Sequence, residues 1–170
     1  MKKGIIIASV LCMASSTVSA EQVVVETPNT TMVLDVEKGR QPKYVYYGAR
    51  LSAQELQHLQ QPRDGRMDAY PAYGLNTPAE AALAMRHADG NLSTALVTTG
   101  VERLKNDGNQ ITVIHMKDPV YPITVDLKYM AYKDVDMIEA WTEITNGEKQ
   151  PVTLTMYSLY SRCSCSVMLI

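Results

Sequence analysis

The sequence predicts an all-β fold, an antiparallel β-sandwich with one short helix, on three observations. Within 117–160, Ile123, Val125, Leu127, Tyr129 and Ala131 fall on one face of an extended chain, and Thr124, Asp126 and Lys128 fall on the other. That period of two is expected when one face of a strand is buried. Asp89-Gly90, Asp107-Gly108 and Asn146-Gly147 are reversal signals spread through the chain. Apolar or alternating runs flank each of them, as in stacked antiparallel sheets.

Taken in order, the first twenty residues differ in kind from the rest. Lys2 and Lys3 precede an apolar run, 4–13, and the small-residue site Val18, Ser19, Ala20. This reads as a secretory signal peptide cleaved after Ala20, placing the product outside the cytoplasm, secreted or periplasmic. The run is too short for a stable membrane anchor. Cys12 follows the bulky Leu11 and reads as an apolar signal residue. Segment 23–36 holds the runs VVVE and TMVLDV split by Thr27, Pro28 and Asn29, which predicts two strands and a turn. Tyr44 to Tyr47 form a third strand ending at Gly48. Ser52 and Glu55 make a capping box, predicting a short helix to about Gln60.

From 60 to 78 prolines, glycines and the absence of periodicity predict a long irregular loop. Its tyrosines, Tyr70 and Tyr73, predict that it is ordered, because disordered segments are poor in aromatics. The segment AEAALAM that follows is helix-favouring by composition. Strands are predicted at 94–98, 101–105 and 110–116, ahead of the three in 117–160. The last residues, SRCSCSVMLI, depart from this pattern. The division expected is therefore a signal peptide at 1–20, one partial β-sandwich domain at 21–162 and an atypical tail at 163–170.

Composition narrows the function. Removing Lys2 and Lys3 with the leader takes the net charge from −2 to −4, which excludes nucleic acid as a natural partner. An apolar content of 46% in about 150 mature residues suits one core. Cys163 and Cys165 are too close to bridge comfortably, and they lack the further ligands that zinc needs. His58, His87 and His115 show no metal-ligand spacing, so no cofactor or metal is expected. His87 is expected to bond a backbone group at its turn. Asp134 and Asp136 read as a solvated hairpin end. Trp141 lies two positions from both Glu139 and Glu143 on one strand face. An indole between carboxylates can bind a sugar face, and it can equally pack against the core or another domain. No nucleophile elbow or phosphate-cradling glycine loop is present.

Several blocks in order carry a resemblance: AYPAYG at 69–74, HADGN at 87–91, KDPVYPITVDLKY from Lys117 and IEAWTEITN from Ile138. Together they resemble the N-terminal domain of family 36 glycoside hydrolases, chiefly bacterial α-galactosidases, over roughly residues 24–161. The resemblance implies an incomplete supersandwich and an extended course for 79–85. It also implies a parent activity, the retaining removal of terminal α-linked galactose from oligosaccharides. In that family two aspartates on a (β/α)8 barrel do the chemistry, and such carboxyls stand about 5 to 5.5 Å apart. No counterpart lies in this sequence, which is expected to stop inside its first domain and to be inactive alone. Galactosides would be met through the missing barrel, and complete relatives are expected to be homo-oligomers. The resemblance further implies that the loop after the early tyrosine strand can present an acidic side chain to galactose. Asp64 or Asp68 would fill that role here, with Tyr70, Pro71, Tyr73 and Gly74 pinning the loop. The alternative is a stand-alone carbohydrate-binding or structural sandwich.

Overall fold

A computed structural model describes residues 21–60, 67–74, 80–157 and 165–169. Among these, strands dominate and the sheets are antiparallel but for one pair. The first sheet has the order β1–β2–β3, built from β1 (Glu21–Glu26), β2 (Thr30–Val36) and β3 (Lys43–Ala49). Its first two strands flank the turn at Thr27, Pro28 and Asn29, closed by a Thr27 N–H to Thr30 carbonyl bond of 3.0 Å. Tyr44 to Tyr47 fall inside β3, and a bulge at Val33/Leu34 of β2 shifts the register there.

Helix α1 (Ala53–Gln57) has the expected capping box. Ser52 Oγ accepts from the Glu55 N–H, and the Glu55 carboxylate accepts from the Ser52 N–H at 2.8 Å. It is shorter than the sequence predicts because it buries no residue, and a helix of this length without tertiary packing has nothing to extend it.

The segment of helical composition before His87 is extended, as the resemblance implies: β4 (Leu83–Arg86) pairs with β9 (Thr153–Tyr157). Leu83 also forms a parallel bridge with Ala72, so sheet pairing on both sides overrides propensity. The second large sheet has the order β10–β8–β7–β6–β5. Its strands are β5 (Val97–Asn106), β6 (Asn109–Lys117), β7 (Ile123–Ala131), β8 (Ile138–Asn146) and β10 (Cys165–Leu169). Two strands expected at 94–98 and 101–105 are one, β5, because Gly100 passes through a bulge rather than a break. Asp107 and Gly108, with φ of 50° and 84°, close the β5–β6 hairpin in two residues. β10 lies in the tail and pairs parallel with β8, a departure from the antiparallel expectation. The chain leaves β8 for β9 in another sheet, so it returns to β8 by a crossover and runs in the same direction.

The core lies between the two larger sheets. β7 buries Ile123, Val125, Leu127, Tyr129 and Ala131, the face that alternation predicts. These meet Val23, Val25, Met32 and Leu34 of the first sheet in one cluster that also takes in Tyr70, Leu83, Met85 and Ile114. Polar links join the layers at their margins. The Tyr44 and Tyr129 hydroxyls lie 3.1 Å apart, Arg103 reaches Glu21 at 2.7 Å, and the Thr27 hydroxyl donates to Asp136. Asp136 is exposed yet bonded, so the β7–β8 hairpin end is tied to the β1–β2 turn rather than free in solvent. That bond holds its carboxyl below the usual aspartate range.

Candidate functional site

The loop 67–74 enters the core instead of standing over an opening. Asp68 pairs with Lys43 by a backbone bridge, and the Ala69 N–H donates to the Pro42 carbonyl at 2.7 Å. Asp68, Ala69, Tyr70, Pro71 and Ala72 are all buried. The Pro71 carbonyl accepts the Ala82 N–H at 2.7 Å, which joins the loop to β4. Burial pushes the Tyr70 hydroxyl well above its ordinary pKa, so it stays protonated. Tyr73 is 54% exposed. Asp64 lies outside the described residues.

This loop meets the 87–91 turn. The Thr94 N–H donates to the Tyr73 carbonyl at 2.8 Å. Gly74 has φ of 107°, and a Cβ there would lie 2.7 Å from Ser93 Cα. Both the conformation and the closeness require glycine. Behind the contact sits a polar cluster built on the buried His87, Thr94 and Asp118. His87 Nδ1 donates to Glu148 Oε1 at 2.7 Å, since an ionised carboxylate only accepts, and Nε2 lies 3.0 Å from Thr94 Oγ1. The ring stacks on Tyr121 with centroids 3.6 Å apart. The other oxygen of Glu148 accepts the Ala88 N–H at 3.1 Å. The Tyr121 hydroxyl donates to Asp89 at 2.7 Å and accepts from Asn91 Nδ2 at 2.9 Å. The Asn91 backbone N–H and that hydroxyl hold the Asp89 carboxyl below its usual range. Asp118 accepts the N–H groups of Val120, Tyr121 and Ala95. His87 therefore bonds side chains through its ring, not the backbone group expected, while its N–H closes the turn onto the Asn91 carbonyl at 2.8 Å.

Trp141 stands on the opposite side of the five-stranded sheet. Its neighbours Ala140 and Thr142 are buried toward the core, so the half-buried indole points away from Tyr70 and the loop. Its Nε1 donates to Glu143 Oε1 at 3.3 Å, and Lys128 Nζ reaches the same oxygen at 2.6 Å. The lysine holds the Glu143 carboxyl below its usual range. Glu139 accepts the Tyr132 hydroxyl at 2.8 Å. Trp141 and Asp68 do not converge.

Thr94, His87 and Glu148 have the spacing of a hydroxyl, imidazole and carboxylate relay, which sequence reasoning missed. Geometry of that kind activates a nucleophile only where a substrate carbonyl can reach the oxygen. Thr94 is 0% exposed and His87 2%, so neither is within reach of a substrate. The triad is a clasp: it joins the turn, the segment leading into β5 and the segment after β8. Among the described residues no three His, Cys, Asp or Glu side chains gather as a metal site.

The family model for the glycosyl hydrolase family 36 N-terminal domain matches residues 40–162. No curated protein matches the sequence significantly. Solved structures do match in fold. The α-galactosidase AgaA from Geobacillus stearothermophilus has 15% identity and a TM-score of 0.67, over 81% of this chain and 24% of its own. An α-galactosidase from Lactobacillus brevis has 17% identity and a TM-score of 0.65, over 81% of this chain and 23% of its own. The galactosidase domain of the α-galactosidase-sucrose kinase AgaSK has 20% identity and a TM-score of 0.63, over 79% and 23%. Variants of AgaA have been solved with stachyose and with raffinose. The chain thus spans about a quarter of the length of these solved relatives.

Proposed function

The chain belongs to the glycosyl hydrolase family 36 N-terminal domain family, and from that premise we propose that it is the exported, non-catalytic sandwich of an α-galactosidase. The reading assigns it to bracing a separate catalytic barrel that removes terminal α-linked galactose from oligosaccharides. One observation carries the non-catalytic part. The relay of Thr94, His87 and Glu148 is sealed inside the fold, with Thr94 0% exposed. The carboxylates beside Trp141 are bonded to Lys128 and Tyr132. Neither set resembles two open carboxyls facing a glycosidic bond across about 5 Å. In this reading Tyr73, the exposed aromatic of the 67–74 loop, is the side chain of that loop open to a neighbouring domain, while Asp68 is buried.

In this reading the segment 1–20, with its basic start, apolar run and small-residue site at Val18, Ser19 and Ala20, directs export. Sequencing the N-terminus of protein recovered from the periplasm or medium should give Glu-Gln-Val; an intact Met1 would contradict export.

The test of function is turnover of a nitrophenyl α-galactoside and of melibiose by the purified chain, with calorimetric titration of melibiose alongside. No turnover and no millimolar binding are expected. Hydrolysis would overturn the reading. Binding without hydrolysis, lost in Trp141→Ala, would establish a stand-alone carbohydrate-binding module instead.

A further inference from the structure

Asn146-Gly147 is the one Asn-Gly pair in the chain. In such a pair the backbone nitrogen of the glycine can attack the asparagine side-chain carbonyl carbon. The new C–N bond closes a five-membered imide, and the Asn amide leaves as ammonia. Water then opens the imide at either carbonyl, giving aspartate or isoaspartate. Glycine permits this best because no side chain hinders the approach.

Here the attacking atom is held elsewhere. The Gly147 N–H donates to the Pro122 carbonyl at 2.8 Å, and a Cβ at Gly147 would lie 2.8 Å from that same oxygen. The electrophile is held too, because Asn146 Oδ1 accepts the Glu148 N–H at 2.9 Å. Asn146 itself ends β8, in register with Ile123. Its side chain is exposed, so water and base reach it freely. What restrains the reaction is backbone geometry, and that geometry depends on the turn at 118–122, which Asp118 holds through the N–H groups of Val120 and Tyr121.

We propose that Asn146 is a latent modification site, silent while Pro122 holds the Gly147 N–H and converted when the 118–122 turn opens. Its conversion has a built-in consequence. Isoaspartate adds one carbon to the main chain two residues before Glu148, whose carboxylate holds His87 at 2.7 Å and the Ala88 N–H at 3.1 Å. The modification therefore unhooks the His87–Glu148 clasp. This inference rests on the fold alone and stands whatever the domain braces.

Trypsin isolates the site, since cleavage after Lys133 and Lys149 releases 134–149, a peptide in which Asn146 is the only amide side chain. The purified chain is incubated in mildly alkaline buffer, native and in concentrated urea, and the gain of about one dalton in that peptide is followed by mass spectrometry. The native rate should be slower by roughly tenfold or more, because reaction must wait for local opening. Asp118→Asn, which changes nothing inside the reporter peptide, should speed the native reaction and leave the rate in urea unchanged. The isolated isoaspartate form should melt below Asn146→Asp, which keeps the normal backbone. Equal native and denatured rates, or an Asp118→Asn native rate equal to wild type, would overturn the proposal. An isoaspartate form as stable as Asn146→Asp would overturn its link to the clasp.

Discussion

The clasp behind the 67–74 loop and the outer face of the five-stranded sheet use similar residue types to different ends. In the clasp, Tyr121, His87 and Glu148 combine an aromatic ring, a titratable base and a carboxylate, with His87 and Glu148 side chains 0% and 9% exposed. On the sheet face, Trp141, Lys128 and Glu143 make a comparable set, with Lys128 and Glu143 each 21% exposed. Water can replace a partner lost from the face. It cannot do so in the clasp, where a lost partner leaves a buried polar group unsatisfied. The same chemistry therefore holds the fold together in one place and covers its surface in the other.

The largest effect is expected at Tyr70, whose ring fills the core beneath the loop. Tyr70→Ala should cost about 3 to 5 kcal/mol in urea unfolding, as for other large aromatic truncations. Gly74→Ala should cost about 1 to 3 kcal/mol, because alanine at φ of 107° is strained and its Cβ meets Ser93. Trp141→Ala should cost less, about 1 kcal/mol, in keeping with a half-buried side chain whose partners regain water. A loss at Trp141 equal to that at Tyr70 would break the comparison and make the sheet face part of the core.

Smallest is a tilt of stability with acid. The Thr27 hydroxyl lowers the folded pKa of Asp136, and Lys128 lowers that of Glu143. Each contribution is fully present above the ordinary values of 3.8 and 4.5 and is lost as pH falls through the lowered folded values. Asp35 opposes this, since burial raises its pKa and its protonation relieves a cost. The melting temperature should fall on acidification below about pH 4.5, and Asp136→Asn should flatten the slope. An unchanged slope in that variant would mean the tie to Thr27 does not bear on stability.

Local patterns were legible in the sequence, and distant pairings were not. β7 alternates because one face is buried, and alternation is visible within nine residues. The capping box at Ser52 and the hairpin at Asp107-Gly108 are equally local. The separation expected between 98 and 101 is a bulge at Gly100, because a bulge and a turn favour the same residue type and only the facing strand β6 distinguishes them. The stretch before His87 was misleading by composition for the same reason: its partners, Ala72 and β9, lie elsewhere in the chain. Glu148 lies 61 residues from His87, and Asp136 lies 109 from Thr27, so no spacing rule could join them. The AYPAYG and HADGN blocks were each visible, while their contact through Gly74 and Ser93 was not.

The clasp acts as one cooperative unit. A double-mutant cycle on His87→Ala and Glu148→Ala, read by urea unfolding of the purified chain, tests this directly. A coupling of about 1 to 3 kcal/mol is predicted for a buried pair of this kind. Additive losses, with coupling near zero, would contradict it.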